Sequence, residues 1–170
     1  MLNAMRRSKQ ARSRADALYA ALMTRAREPV FFARFSVKDT LDGRFDLAVL
    51  HAWLVLERLK EAGDAPLSQA FVDAVFVGFD EALRELGSGD IGLGRRMSKI
   101  ADAFYGRMQA YGDARDERTL EAALIRNLYR GAAEPAARTM ARYVIDAKAH
   151  LAGCDVNDGM LDFGPLPHEE

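Results

Sequence analysis

GSGDIGLGRRMSKIADAFYGRMQAY, residues 87–111, admits two readings that lead to different folds. Gly87, Gly89 and Gly92 match G-x-G-x-x-G, and Gly89 to Arg95 approaches a phosphate-binding loop. A dinucleotide fingerprint requires a β-strand immediately before the glycines and a helix after them. The preceding residues, FDEALREL (79–86), have helical spacing and few β-branched side chains. Arg95 stands where a phosphate-binding loop has lysine, and Arg96 where it has a metal-binding hydroxyl. The glycines are therefore read as a helix-to-helix junction, with Gly87 closing one helix and Ser88 or Asp90 capping the next. From Leu93, apolar residues fall at Met97, Ile100, Ala101, Phe104, Met108 and Tyr111, the spacing of one helical face. Ala103 and Gly106 leave a flatter strip, along which Arg96, Lys99 and Arg107 lie. The start of this helix is locally costly. Gly92 and Gly94 each lose about 1 kcal/mol against alanine. Arg95 and Arg96 place positive charge at the positive end of the helix dipole. A cationic, glycine-softened helix start marks a functional surface.

The 170 residues suffice for one domain. Apolar residues make up 49% and charged residues 29%, a globular composition. A net charge of -1 argues against a protein that coats nucleic acid. The charge is unevenly spread. Arg6, Arg7, Lys9, Arg12 and Arg14 precede the first acid, while the segment after Gly153 carries five acids and no lysine or arginine. The expected organisation is a basic arm over 1–14, a helical domain over 15–153 and an acidic, extended, flexible tail over 154–170. A single cysteine, Cys154, precludes an internal disulfide and suits a reducing compartment. No secretory signal is apparent, and the longest apolar run, Leu47–Leu56, is too short to cross a bilayer as a helix.

The remaining segments extend the helical pattern in both directions. An amphipathic helix spans about 8–27, with Ala15, Leu18, Tyr19, Leu22 and Ala26 on one side. Asp39–Asp42 can cap a helix that runs to Ala62 and stops at Gly63. Its Leu47–Leu56 stretch is apolar nearly all round, so it should lie at the centre. Pro66 opens the next helix. This one carries Leu67, Phe71 and Val75 on one line and Val72, Phe76, Phe79, Leu83 and Leu86 on another. Further helices are expected over about 117–129 and from Pro135 to Gly153. No stretch alternates long enough for a strand. The fold class is all-α, a single bundle of about six helices.

Catalytic chemistry finds no foothold. His51 is read as a neutral buried histidine with a satisfied hydrogen bond, because no histidine or carboxylate stands near it at ligand spacing. Asp73, Asp80, Glu81 and Glu85 read as a solvated helix face. No catalytic residue, metal or cofactor is expected. One alternative is a helical carrier for a hydrophobic small molecule (quinone, haem or lipid) in the bundle.

The chain resembles the ubiquinol-cytochrome c chaperone family. The resemblance rests on DTLDGRFDL (39–47), on LHAW (50–53) with Leu56, Arg58 and Leu59, and on GDIGLGRRM (89–97) leading to AFYGR (103–107) and Ala110-Tyr111. It implies an all-helical, non-enzymatic assembly factor for the cytochrome bc1 complex. Newly made cytochrome b and other bc1 subunits are then the expected partners. In the mitochondrial relatives a small helical partner subunit, the ribosome and the inner membrane are involved as well. The long targeting extension of those forms is missing, so a bacterial, cytoplasmic protein is expected, with peripheral contact at the inner membrane left open. Shielding a membrane client requires exposed apolar surface with polar rims. The expected partner-binding residues are Gly89, Asp90, Gly92, Gly94, Arg95, Arg96, Lys99, Phe104, Arg107 and Tyr111.

Overall fold

A computed structural model of the chain describes residues 2–87 and 90–167. Among the described residues there are seven helices and no strand. They are α1 (Leu2–Ala26), the single-turn α2 (Pro29–Ala33), α3 (Leu41–Ala62), α4 (Ala65–Glu85), α5 (Asp90–Gly112), α6 (Glu117–Asn127) and α7 (Ala136–Ala152). The residues before the glycine cluster are thus helical, which removes the dinucleotide reading on structural grounds.

α3 is the axis of the bundle. Every residue from Asp46 to Leu56 is buried, and α1, α4, α5 and α7 all pack against it. Its ends follow local chemistry. The Thr40 hydroxyl accepts a hydrogen bond from the Gly43 N–H (3.2 Å), and Gly63 closes the helix at φ +70°. Asp64 then caps α4 through the Leu67 N–H at 3.0 Å.

On α4, Leu67, Phe71, Val75, Phe79 and Leu83 form one buried line. Phe79 and Leu83 were expected on the second line. Steps of four residues keep them on the first, facing α3. Val72 and Phe76 flank that line, and Leu86 projects into solvent, 60% exposed. α1 begins at Leu2, well before the expected start near residue 8, because no glycine or proline interrupts residues 2–26. The basic segment is therefore the first half of this helix. α1 crosses α4 closely where Gly78 meets Tyr19. A Cβ at position 78 would overlap the tyrosine hydroxyl.

Residues 154–167 contain no helix but are fastened to the bundle. Val156 and Phe163 are buried. Arg58 donates to the Cys154 carbonyl at 2.8 Å, and Arg25 donates to the carbonyls of Gly164 (3.0 Å) and Pro165 (2.8 Å). The acidic tail is thus anchored through its backbone, whereas its charges alone suggest a free, flexible segment. Residues 168–170 lie outside the described residues.

Candidate partner-binding groove

α3 carries one acid into the core. Asp46 sits just before the mainly apolar Leu47–Leu56 run and is fully buried. Two arginines reach it from elements distant in sequence. Arg107 of α5 brings Nη2 to 2.8 Å from Oδ1, and Arg130, just after α6, donates from Nε to Oδ2 at 3.0 Å. Arg130 also pairs with Asp42 at 3.2 Å. It does so in the left-handed backbone region, φ +54°, which a non-glycine residue occupies at a cost. The arginines do not fully compensate the acid. Burial raises the carboxyl pKa of Asp46, outweighing the lowering by Arg107 and Arg130.

Asp42, Arg107 and Arg130 of this cluster line one wall of a groove of 480 Å³ between α1, α3, α4 and α5, with Asp46 buried behind them. Met23, Phe45, Phe79, Leu83 and Ile100 supply an apolar lining, and Leu41 and Leu86 stand exposed at its lips (52% and 60%). Arg27, Arg44, Lys99, Arg107 and Arg130 also line it, against the acids Asp42 and Glu85. The groove combines an apolar interior with a mainly cationic rim, as an amphipathic partner segment requires.

The expected site residues divide into three groups. Lys99 and Arg107 line this groove. Gly92, Gly94, Arg95 and Arg96 are exposed in the first turns of α5, and a Cβ on either glycine would meet open space. Packing therefore does not demand glycine there. Asp90 opens the helix, and Gly89 lies outside the described residues.

Phe104 and Tyr111, expected to touch a partner, are instead core residues, 0% and 1% exposed. Phe104 packs on Phe76 (ring centroids 5.2 Å) and Tyr111 on Trp53 (5.7 Å). They fix α5 against α4 and α3 and present its other side. Both lie on the periodic apolar face, and that periodicity is the signal that assigns them to the interior.

Leu41, Phe45 and Arg130, which line the groove, and Asp46, which holds its arginines, are not among the residues expected from the sequence. An acid placed directly before a run of ten residues that is apolar except for His51 was the available sign for Asp46. Arg130 carried none, because its role depends on a contact 84 positions away.

The other buried polar centre is closed. His51 Nδ1–H donates to the Leu47 carbonyl (2.8 Å), so Nε2 accepts from the Tyr143 hydroxyl (2.8 Å). The Tyr143 oxygen in turn accepts from Arg25 Nε at 2.9 Å. Phe31 and Phe163 lie against the imidazole. Burial pushes the histidine pKa down to about 4, so the ring is neutral, as a structural histidine should be. Among the described residues no group of three or more His, Cys, Asp or Glu is arranged to hold a metal ion. None of their helices is long and apolar enough to cross a membrane.

The sequence profile of the ubiquinol-cytochrome C chaperone family matches residues 33–159, a span containing both stretches that meet across the groove. The chain belongs to that family. Within this chaperone family, it is 30% identical over 115 residues to ubiquinol-cytochrome-c reductase complex assembly factor 1 of Xenopus laevis. That match covers 65% of this chain and 58% of the frog protein. The crystal structure of the Cbp3 homolog from Brucella abortus has the same fold, with a TM-score of 0.82 and 35% identity over 97% of each chain. The family stretch 39–47 supplies Leu41, Asp42, Arg44 and Phe45 to the groove, and the stretch 89–111 supplies Lys99, Ile100, Ala103 and Arg107.

Proposed function

We propose that this chain is an assembly chaperone for the ubiquinol-cytochrome c reductase (bc1) complex. Its client is newly made cytochrome b, held before that protein is built into the complex. The observation that carries the reading is the convergence of the two family stretches on one open, apolar, cation-rimmed groove. A chaperone needs surface of this kind, because an unassembled membrane subunit exposes apolar helices that water penalises. The chain supplies shelter and performs no bond chemistry. The exposed start of α5, with Gly92, Gly94, Arg95 and Arg96, extends the cationic surface beyond the groove toward polar loops of the client. Work at the cytoplasmic face of the inner membrane fits such a client.

The test is a bacterium that makes a bc1 complex, carrying either a deletion of this chain or Arg95→Glu with Arg96→Glu. Reduced-minus-oxidised spectra should show loss of b-type haem signal from the complex in the deletion strain and a several-fold drop in the double variant. The purified double variant should keep its far-UV helical signal. Wild-type amounts of complex in the deletion strain would overturn the function. Wild-type amounts in the double variant alone would remove Arg95 and Arg96 from the partner surface.

A further inference from the structure

The groove cations are not equivalent. Arg44 is engaged by Asp39 (2.7 Å), Arg107 by Asp46, and Arg130 by Asp42 and Asp46. Arg27 and Lys99 make no ion pair among the described residues. Of the two acids in the groove lining, Asp42 is already engaged by Arg130, which leaves Glu85 alone to balance them. Arg27 enters from the turn directly after α1 and Lys99 from α5, so the two lie on different walls above the same apolar lining.

We propose that the groove selects an apolar helical segment bearing acidic side chains, and that Arg27 and Lys99 read those carboxylates. This rests on the groove being the client site, and it specifies the chemistry of the client segment. Apolar capture alone needs no cations. A cation over an apolar cleft, facing water on one side, gains most from a carboxylate that arrives with its own apolar stem. A polypeptide fits better than a lipid because the apolar surface continues outward onto Leu41 and Leu86 at the lips. A helix lying across the cleft covers both lips, whereas an acyl chain would be sheltered by an enclosed tunnel. Seating a partner helix by its apolar stripe in a groove between helices is a general recognition mode.

The experiment uses the full chain and two labelled helical peptides of about twenty residues, sharing one apolar stripe. One peptide carries two Glu residues beside the stripe, and the other carries Gln at the same positions. Fluorescence anisotropy should show the Glu peptide binding at least tenfold tighter, with the preference shrinking as salt rises. Lys99→Glu and Arg27→Glu should each erase the preference, weakening the Glu peptide far more than the Gln peptide. Leu86→Asp should weaken both peptides. Equal binding of the two peptides, or a preference that survives both charge reversals, would overturn the proposal. Displacement of the Glu peptide by phosphatidylglycerol vesicles, but not by excess unlabelled peptide, would also overturn it, in favour of a lipid. None of these results depends on bc1 assembly in cells. A failure here is therefore separable from a failure of the chaperone reading.

Discussion

Two polar centres sit five residues apart on α3, and the chain treats them in opposite ways. At His51 each ring nitrogen is matched, and aromatic rings from α2 and the tail close over it. At Asp46 the matching is incomplete. Arg107 Nη2 is close enough to Oδ1 for a full charge interaction but lies off the line of an N–H bond. Arg107 Nε, and beyond it Tyr111 Oη and Trp53 Nε1, have no hydrogen bond among the described residues. The closed centre behaves as structure: it fixes how α1, α3 and α7 meet. The centre left short of partners borders the groove proposed to receive the client, and a cost of this kind is what a binding surface can carry.

The sharpest way to break the contrast is Asp46→Ala. Losing the acid leaves the guanidinium of Arg107, only 15% exposed, without its counter-charge. Removing one partner of a buried pair costs about 3 kcal/mol or more. Urea unfolding should register that loss, and Arg130 should be freed from its left-handed conformation. An unchanged midpoint would show that Asp46 holds nothing together.

His51 should instead reveal itself through pH. Unfolded, its imidazole takes a proton near pH 6.5. Folded, it resists one until about pH 4. Stability is therefore intact above pH 6.5 and drains as pH falls toward 4, by about 3 kcal/mol in all. Carboxylates such as Asp116 and Asp162, held below their ordinary range by hydrogen bonds from backbone N–H groups, add their own loss only at lower pH. Asp46, whose pKa is raised, works in the opposite sense and cannot account for the decline. Thermal melts between pH 7 and 4.5 should show the slope, and His51→Gln should flatten it.

The smallest expected effect is a gain. Gly92→Ala and Gly94→Ala meet open space, so each should stabilise α5 by up to about 1 kcal/mol. The melting temperature should rise while client capture falls. A rise in both would mean that the glycines are an uncorrected weakness and serve no partner.

Helix order, the centrality of α3 and the neutral state of His51 were legible from periodicity, caps and breakers, because those signals are local. Gly63 and the capping stretch Asp39–Asp42 act within a turn of where they stand. The groove was legible on one side only. Lys99 and Arg107 stood out as a cationic strip, but Asp46 and Arg130 matter through a contact that no spacing rule encodes. Phe104 and Tyr111 show the converse error. Proximity to a motif suggested a surface role, and their place on the apolar stripe put them inside. The segment after Gly153 misled for a related reason. Its acids describe solvent preference, whereas its backbone carbonyls, invisible to composition, are what Arg25 and Arg58 grip.

That grip has a consequence for biosynthesis. Phe163 shields His51, and Arg25 holds the strap that carries it, so the earliest helix is locked by some of the last residues described. A growing polypeptide can assemble α1 to α5 while still tethered to the ribosome, yet the imidazole stays wet until positions 163–165 clear the exit tunnel. Maturation of this protein is therefore complete only when the strap has docked, and stalled or clipped products that end before the strap would remain unlatched, open to proteases.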